Sequence, residues 1–396
     1  MPLPPSNCAA VNPARSSPRV LRPRVVVLGN GPAGIAAACV LAQAGVDTVL
    51  VGQETGHQLK AGESLPGAAL RLLRRLGIAS LESLLTPDAF LGCSATVSAW
   101  GEDNWTYKDA LYNPEGGGWH LLRHRFDAML LAHARTQGVA TLFGHGHSLT
   151  PLGSGHRLTF CDPPAGSAGD DALPVIEADF LIDATGRHCW AGRRLGARPV
   201  KLSQQLAAVG WLNGLHDDRD DSTRIKSVAD GWWYSARLPQ GLRVVAFHGL
   251  PRAVMALTRH PEAFRAACHA SGVLPASLKA IPRPQKLNAC DASVTLTPHA
   301  AGENWLAVGD AALSFDPLSS QGIFFALYSG IRGAEAALAC LHQPAQRAQA
   351  LDDYRQQVMR VFAVNQQTRQ LFYTRELRYR QHDYWQTQQR AVRIHR

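Results

Sequence analysis

Gly29, Gly31 and Gly34 stand in the run Arg24-Val-Val-Val-Leu-Gly29-Asn30-Gly31-Pro32-Ala33-Gly34, between a β-branched apolar segment and an alanine-rich one that closes at Gly45. Glycines at this spacing, after a strand and before a helix, can cradle the pyrophosphate of a dinucleotide. Gly29 permits the tight turn, Gly31 lets backbone approach the phosphates, and Gly34 lets the helix pack close to the sheet. The free N–H groups and positive end of the helix then face the anion. A second strand, Asp47 to Val51, is expected to end in an acid that holds the ribose. Gly52 stands there instead, with Gln53 and Glu54 just beyond, so the ribose contact moves to Glu54 or is made differently.

Two further apolar segments end in small-residue turns: Ala178 to Asp183, followed by Ala-Thr-Gly186-Arg187, and Asn304 to Val308, followed by Gly309-Asp310-Ala-Ala312. Three strand–turn elements so far apart in sequence predict an α/β nucleotide domain that is discontinuous along the chain. Segments Ala207–Leu212, Gly231–Leu238 and Arg243–Phe247 read as strands of a β-rich insert. The expected organisation is a basic disordered arm over 1–22, a nucleotide domain over 23–92, 119–200 and 291–345, a β-sheet substrate domain over 93–118 and 201–290, and a helical basic segment over 346–396. Helices are expected at about Ala68–Leu76, from Trp119-His120 onward to about Thr136 with Phe126, Met129, Leu130 and Ala134 on its core face, and from Gly322 to about Leu341. Two lobes imply a cleft between them.

Charge and cysteine usage narrow the function. The chain has 396 residues and a formal net charge of +9. Residues 1–24 carry +4 and residues 355–396 carry +7, which leaves the body slightly acidic. That distribution excludes a nucleic-acid surface on the body and puts any docking of an acidic protein at the basic C-terminal segment. The eight cysteines lack C-x-x-C spacing, so neither a zinc site nor a disulfide framework is expected. His145-Gly-His147 reads as a loop pair, and no metal is expected. No apolar run is expected to reach membrane-spanning length, and the N-terminal arm lacks a secretory core; the expected location is cytoplasmic.

Together these motifs resemble the FAD-dependent oxidoreductases of the para-hydroxybenzoate hydroxylase fold over about residues 23–345. The matches are Gly29–Gly34, Gly62-Glu63-Ser64-Leu-Pro66, Asp183-Ala-Thr-Gly186-Arg187, and Gly309-Asp310-Ala-Ala with Asp316-Pro317-Leu-Ser-Ser-Gln-Gly322. The resemblance implies a Rossmann-like FAD domain. Gly29, Gly31, Pro32, Ala33 and Gly34 would take the pyrophosphate, and Asp310 a ribityl hydroxyl. Glu63, Ser64 and Arg123 would assist cofactor binding, and Pro317 and Gly322 would shape the isoalloxazine site, where a helix N-terminus stabilises negative charge on reduced flavin. Within the fold the nearest branch is that of the tryptophan halogenases and the flavoproteins that mature tryptophan-derived quinone cofactors. Gly231-Trp232-Trp233-Tyr234 and the C-terminal Tyr373…Glu376-Leu-Arg378-Tyr379…Tyr384-Trp385 are similar to segments of that branch.

Two departures weigh against halogenation. A halogenase of this branch positions hypohalous acid with a lysine, and this chain has none between Lys60 and Lys108; the comparable stretch is Leu91–Trp100. The halide-loop Ser-Thr is replaced by Ser320-Gln321. The expected activity is therefore FAD-dependent monooxygenation of an aromatic ring through a flavin hydroperoxide, the substrate being an aromatic small molecule, an indole, or a tryptophan of a partner protein. A halogenase, a reductase similar to geranylgeranyl reductases, and a non-catalytic maturation flavoprotein remain the alternatives. Electrons come from NAD(P)H or from a separate flavin reductase. His120 and His248 are candidates for a general base, Trp232 and Tyr234 either border the substrate lobe or only pack within it, and no catalytic residue is assigned.

Overall fold

In a computed structural model that describes residues 19–390 except 55, 57, 162–173 and 279, the three strand–turn segments lie side by side. The strand Val25–Leu28 pairs in parallel with Thr48–Gly52 on one side and Phe180–Asp183 on the other, and Phe180–Asp183 pairs in parallel with Trp305–Ala307. Ala140–Phe143 completes the parallel set, and the short antiparallel strand Ala301–Gly302 closes the opposite edge. The inner strands are apolar on both faces because both are covered, as parallel sheets require. The helix Pro32–Gln43 covers one face together with the long helix Gly322–His342. Their contact is close because the neighbours are small: a Cβ on Gly330 would collide with the Ala33 carbonyl and approach Ala36 Cβ to 3.0 Å.

Gly322–His342 is the one helix among the described residues that is long and apolar enough, by length and composition, to cross a membrane. The expectation that no apolar run reaches such length fails for it. More than half of it is buried, and its apolar character serves packing between the nucleotide helix and the C-terminal helix.

The second lobe is built on a seven-stranded sheet in the order Lys286–Asp291, Leu206–Leu212, Leu242–Gly249, Gly231–Leu238, Thr223–Val228, Ala95–Ala99 and Thr106–Asp109. Alternation decides its two faces. Trp233 points to the back, against Phe247 of the neighbouring strand and Phe264 of a covering helix, Pro261–Ser271. Trp232, Tyr234 and Ala236 point forward, toward the nucleotide domain and the C-terminal helices. Arg243, fully buried in this sheet, is satisfied by Asp218 at 2.7 Å and by Ser235 at 3.0 Å; a buried charge persists only with such partners.

The C-terminal segment, Arg347–Arg375 and Asp383–Gln389, is helical and packs across both lobes. Tyr373, Tyr384 and Trp385 are fully or almost fully buried in the forward core of the sheet, so this segment is part of the fold's interior.

Several sequence expectations are corrected here. Residues 1–18 lie outside the described part, but Val20–Leu21 is a strand that pairs with Val175–Ile176, so ordered structure begins inside the arm assigned to 1–22. His145-Gly-His147 sits on the strand His145–Leu152, at an irregularity in its pairing, and not in a loop. In the helix Arg123–Thr136, Met129 is exposed, and Asp127 takes a buried place beside Phe126 and Leu130 because Arg123 and Lys60 neutralise it.

Candidate flavin site

The three turns converge because their strands are neighbours. Gly29 N donates to the Val51 carbonyl at 2.7 Å, Ala184 N to Leu28 at 2.7 Å, and Val308 N to Asp183 at 2.9 Å. Each strand thus delivers its turn to the same carboxyl edge of the sheet, where open α/β sheets bind ligands. Asp183 is consumed in building its own turn. Its carboxylate accepts from Thr185 N at 2.9 Å and Gly192 N at 2.8 Å.

A cavity of about 400 Å³ opens at this edge, bounded on the far side by the forward face of the seven-stranded sheet. Gly31, Pro32, Ala33, Glu63, Ser64, Arg123, Asp310, Pro317 and Gly322 line it. Gly29 and Gly34 do not. A Cβ on either would strike protein, the Ala184 carbonyl for Gly29 and the Gly29 carbonyl for Gly34. They are required by the turn itself. Gly31 and Gly322 differ, because a Cβ on either would meet nothing within 4 Å, and Gly186 (φ +66°) has the same open surroundings and also lines the cavity. Glycine at these positions leaves room on the cavity side, beside two helix N-termini, for an anionic extended ligand. The residues fit a flavin dinucleotide.

Arg123 fixes one wall. It pairs with Asp127 one turn on and donates to the Gly62 carbonyl at 2.8 Å, which ties the Gly62–Ser64 segment to the helix. Asp310 opens onto the cavity, 42% exposed to it, with Arg187 at 3.5 Å. Desolvation by the surrounding protein raises its carboxyl, and Arg187 and Arg123 act against that. Sequence reasoning placed Arg187 only at the end of a motif; the fold makes it the partner of Asp310. Glu63 is buried, accepts from Gly62 N at 3.0 Å, and is raised above the ordinary carboxyl range by desolvation. The buried Tyr234 hydroxyl neighbours Glu63 and acts to lower its carboxyl, against the desolvation.

Trp232, Tyr234 and His248 form the sheet side of the cavity, and the His248 ring stacks on Trp232 at 3.7 Å. Burial depresses His248 to about 3 and His120 to about 4, so both rings are neutral near pH 7 and too weakly basic to serve readily as general bases. His120 lies outside the cavity lining, with Nε2 2.8 Å from Thr223 Oγ1. At the ribose end, Glu54 is exposed, and the Asn30 side chain occupies the strand end: Nδ2 donates to the Gln53 carbonyl at 2.6 Å and Oδ1 accepts from Gln53 N at 3.2 Å.

A second cavity of about 520 Å³ adjoins the first and shares Ser64 and Ser319–Gln321 with it. Its outer wall includes Thr96 and Lys108, which face each other across paired strands.

The chain matches the family described as FAD binding domain over residues 22–367. It is 26% identical over 366 residues to the putative FAD-dependent oxidoreductase LodB of Marinomonas mediterranea, covering 91% of this chain and 95% of that protein. It is 26% identical to the tryptophan 2-halogenase of Chondromyces crocatus, covering 84% of this chain and 64% of that longer protein. Its fold is shared with the peptidyl tryptophan dihydroxylase QhpG (TM-score 0.73, 24% identity, 94% of this chain and 81% of that one) and with the myxobacterial chondrochloren halogenase CndH (0.82, 20%, 94% and 87%). Matching strand ends, an open glycine cradle and a family match across most of the chain lead to one assignment: this protein belongs to the FAD binding domain family and is an FAD-dependent oxidoreductase.

Proposed function

We propose that the protein is an FAD-dependent monooxygenase that hydroxylates an indole ring, the substrate being a tryptophan presented by a partner protein. The observation that carries this reading is the second cavity. It adjoins the flavin cavity through Ser64 and Ser319–Gln321, and it opens beside the strand Thr106–Asp109. Tyr107, Leu111 and Tyr112 stand exposed next to that opening, apolar surface that suits a protein carrying the substrate. QhpG, described as a peptidyl tryptophan dihydroxylase, has the same fold and supports the choice.

Bound reduced FAD supplies the activated oxygen. One atom of O₂ would enter the ring as hydroxyl and the other would leave as water, the two electrons and one proton coming as hydride from NAD(P)H, directly or through a separate flavin reductase, and the second proton from solvent. The protein's own part is to bind and to exclude water. Gly31 and Gly186 would admit the pyrophosphate, Asp310 with Arg187 would hold the ribityl chain, and the Trp232–His248 wall would keep the reacting face dry. An acidic partner would meet the exposed Arg360, Arg375 and Arg380 beside Val364, Leu371 and Phe372.

Halogenation is the second reading. It is favoured by Lys108, which lines the adjoining cavity opposite Thr96, and by the halogenases among the relatives. The deciding experiment reduces the FAD-loaded protein with NADPH, NADH or a flavin reductase without oxygen. Oxygen is then admitted with a tryptophan peptide, with and without bromide, and the product is weighed. Gain of oxygen independent of bromide is expected. A brominated product would establish the second reading, and turnover without oxygen would overturn both in favour of a reductase.

A further inference from the structure

The turn that begins the isoalloxazine side of the cavity is held from behind by the C-terminal helix. Asp316 Oδ1 accepts from Leu318 N at 3.0 Å and so caps the short turn Pro317–Ser319. Its other oxygen, Oδ2, accepts from Arg369 Nε at 3.0 Å and from the Tyr373 hydroxyl at 3.0 Å. Arg369 and Asp316 are both almost completely buried. Arg369 also donates to Gln388, in the last described helix. The Tyr373 oxygen accepts from Trp232 Nε1 at 3.2 Å, and Trp232 is part of the opposite cavity wall. Arg369 and Tyr373, one turn apart on one helix, therefore contact two walls of the cavity while lying outside it.

A purely structural pair at this depth would be a costly choice, because an apolar pair of the same shape often serves packing as well or better. What the ion pair adds is direction. It fixes which oxygen of Asp316 caps the turn and where the turn sits relative to Trp232. We propose that Arg369 and Tyr373 are positioning residues of the flavin site, which hold the Asp316–Ser320 turn and the Trp232 wall at the spacing the isoalloxazine requires. The helix that carries Arg369 and Tyr373 then takes part in cofactor binding through these two side chains.

The test compares three variants of the full chain. Tyr373→Phe keeps the packing and removes the hydroxyl. The double variant Asp316→Asn with Arg369→Met removes both charges while an asparagine can still cap the turn. Trp385→Phe is the control: it loses a bond to the Val228 carbonyl in the same buried cluster, keeps an aromatic ring beside Tyr373, and leaves the turn and the Tyr373 hydroxyl untouched. The readouts are FAD dissociation constants by fluorescence quenching, the visible absorption band of bound FAD, and thermal unfolding of the apoprotein. The expected result is a roughly tenfold weaker Kd for Tyr373→Phe and for the double variant, with a shifted or broadened flavin band, and parental affinity and spectrum for Trp385→Phe. The proposal is overturned if the first two bind FAD with parental affinity and spectrum. It is equally overturned if Trp385→Phe weakens binding as much as Tyr373→Phe at the same loss of melting temperature. Should the double variant fail to fold, Tyr373→Phe against Trp385→Phe still decides.

Discussion

Asn30 and Gly52 share one volume. The space that a Cβ on residue 52 would need is filled by the Asn30 side chain, which bonds both the N–H and the carbonyl of Gln53. The missing acid at the end of the second strand is thereby explained. In this chain the strand end is used to brace the glycine loop, and Gly52 is the only residue type that leaves room for the brace. Gly52→Asp, which restores the usual acid, should displace Asn30 and cost about 1–3 kcal/mol of stability. It should not tighten FAD binding. Urea unfolding and FAD titration check both points, and tighter binding by the variant would contradict the account.

Gly31 and Gly34 should separate cleanly. Gly34→Ala places a methyl against the Gly29 carbonyl, so the apoprotein should lose about 1–3 kcal/mol, the usual range for overpacking. Gly31→Ala meets no protein atom within 4 Å and should leave apoprotein stability within about 0.5 kcal/mol. Its FAD affinity should fall, because the methyl enters the space a pyrophosphate would use. Melting curves of apoprotein and FAD titrations distinguish the two patterns.

Among the described residues the ion pair of Asp310 is with Arg187. Asp310→Ala should therefore fold normally and bind FAD roughly ten- to a hundredfold more weakly, the loss expected for a hydrogen bond to a charged group. The same variant tests whether the proposed activity needs a flavin at all. Under the proposed function, full activity toward the partner from Asp310→Ala protein stripped of FAD would mean that the role is non-catalytic.

The buried histidines make stability depend on pH with a definite sign. His120 and His248 stay neutral in the folded chain down to about 4 and about 3, from an ordinary value of 6.5. Below pH 6.5 the unfolded chain binds protons that the folded chain refuses, so stability falls as pH drops through this window. Each ring contributes a slope approaching about 1.4 kcal/mol per pH unit. Urea denaturation at pH 7, 6 and 5 should show this slope, and His248→Phe should flatten it. An unchanged slope in the variant would mean that His248 does not carry the effect.

Much of the nucleotide half was legible in the residues, because its signals are local. A strand that ends in glycine and feeds a helix needs only a few consecutive positions, and Gly29–Gly34, Asp183–Arg187 and Gly309–Ala312 all have that form. Other features depended on distant partners. Met129 follows helical spacing yet faces solvent, while Asp127, paired with Arg123 and Lys60, is buried beside Phe126 and Leu130. Val20–Leu21 reads as part of a polar arm, yet it pairs with Val175–Ile176, more than 150 residues away in sequence.

The sequence alone determined that a dinucleotide cradle exists and which glycines belong to it, since backbone freedom and phosphate access are properties of neighbouring residues. It could not separate the glycines that the turn needs from those that leave space for a ligand. Nor could it bring Arg187 to Asp310, fill the missing ribose acid's place with Asn30, or carry Arg369 and Tyr373 behind the Asp316 turn. Those relationships join segments from separate strands and helices. Only packing brings them together, because burial rather than local spacing sets which polar groups must find each other.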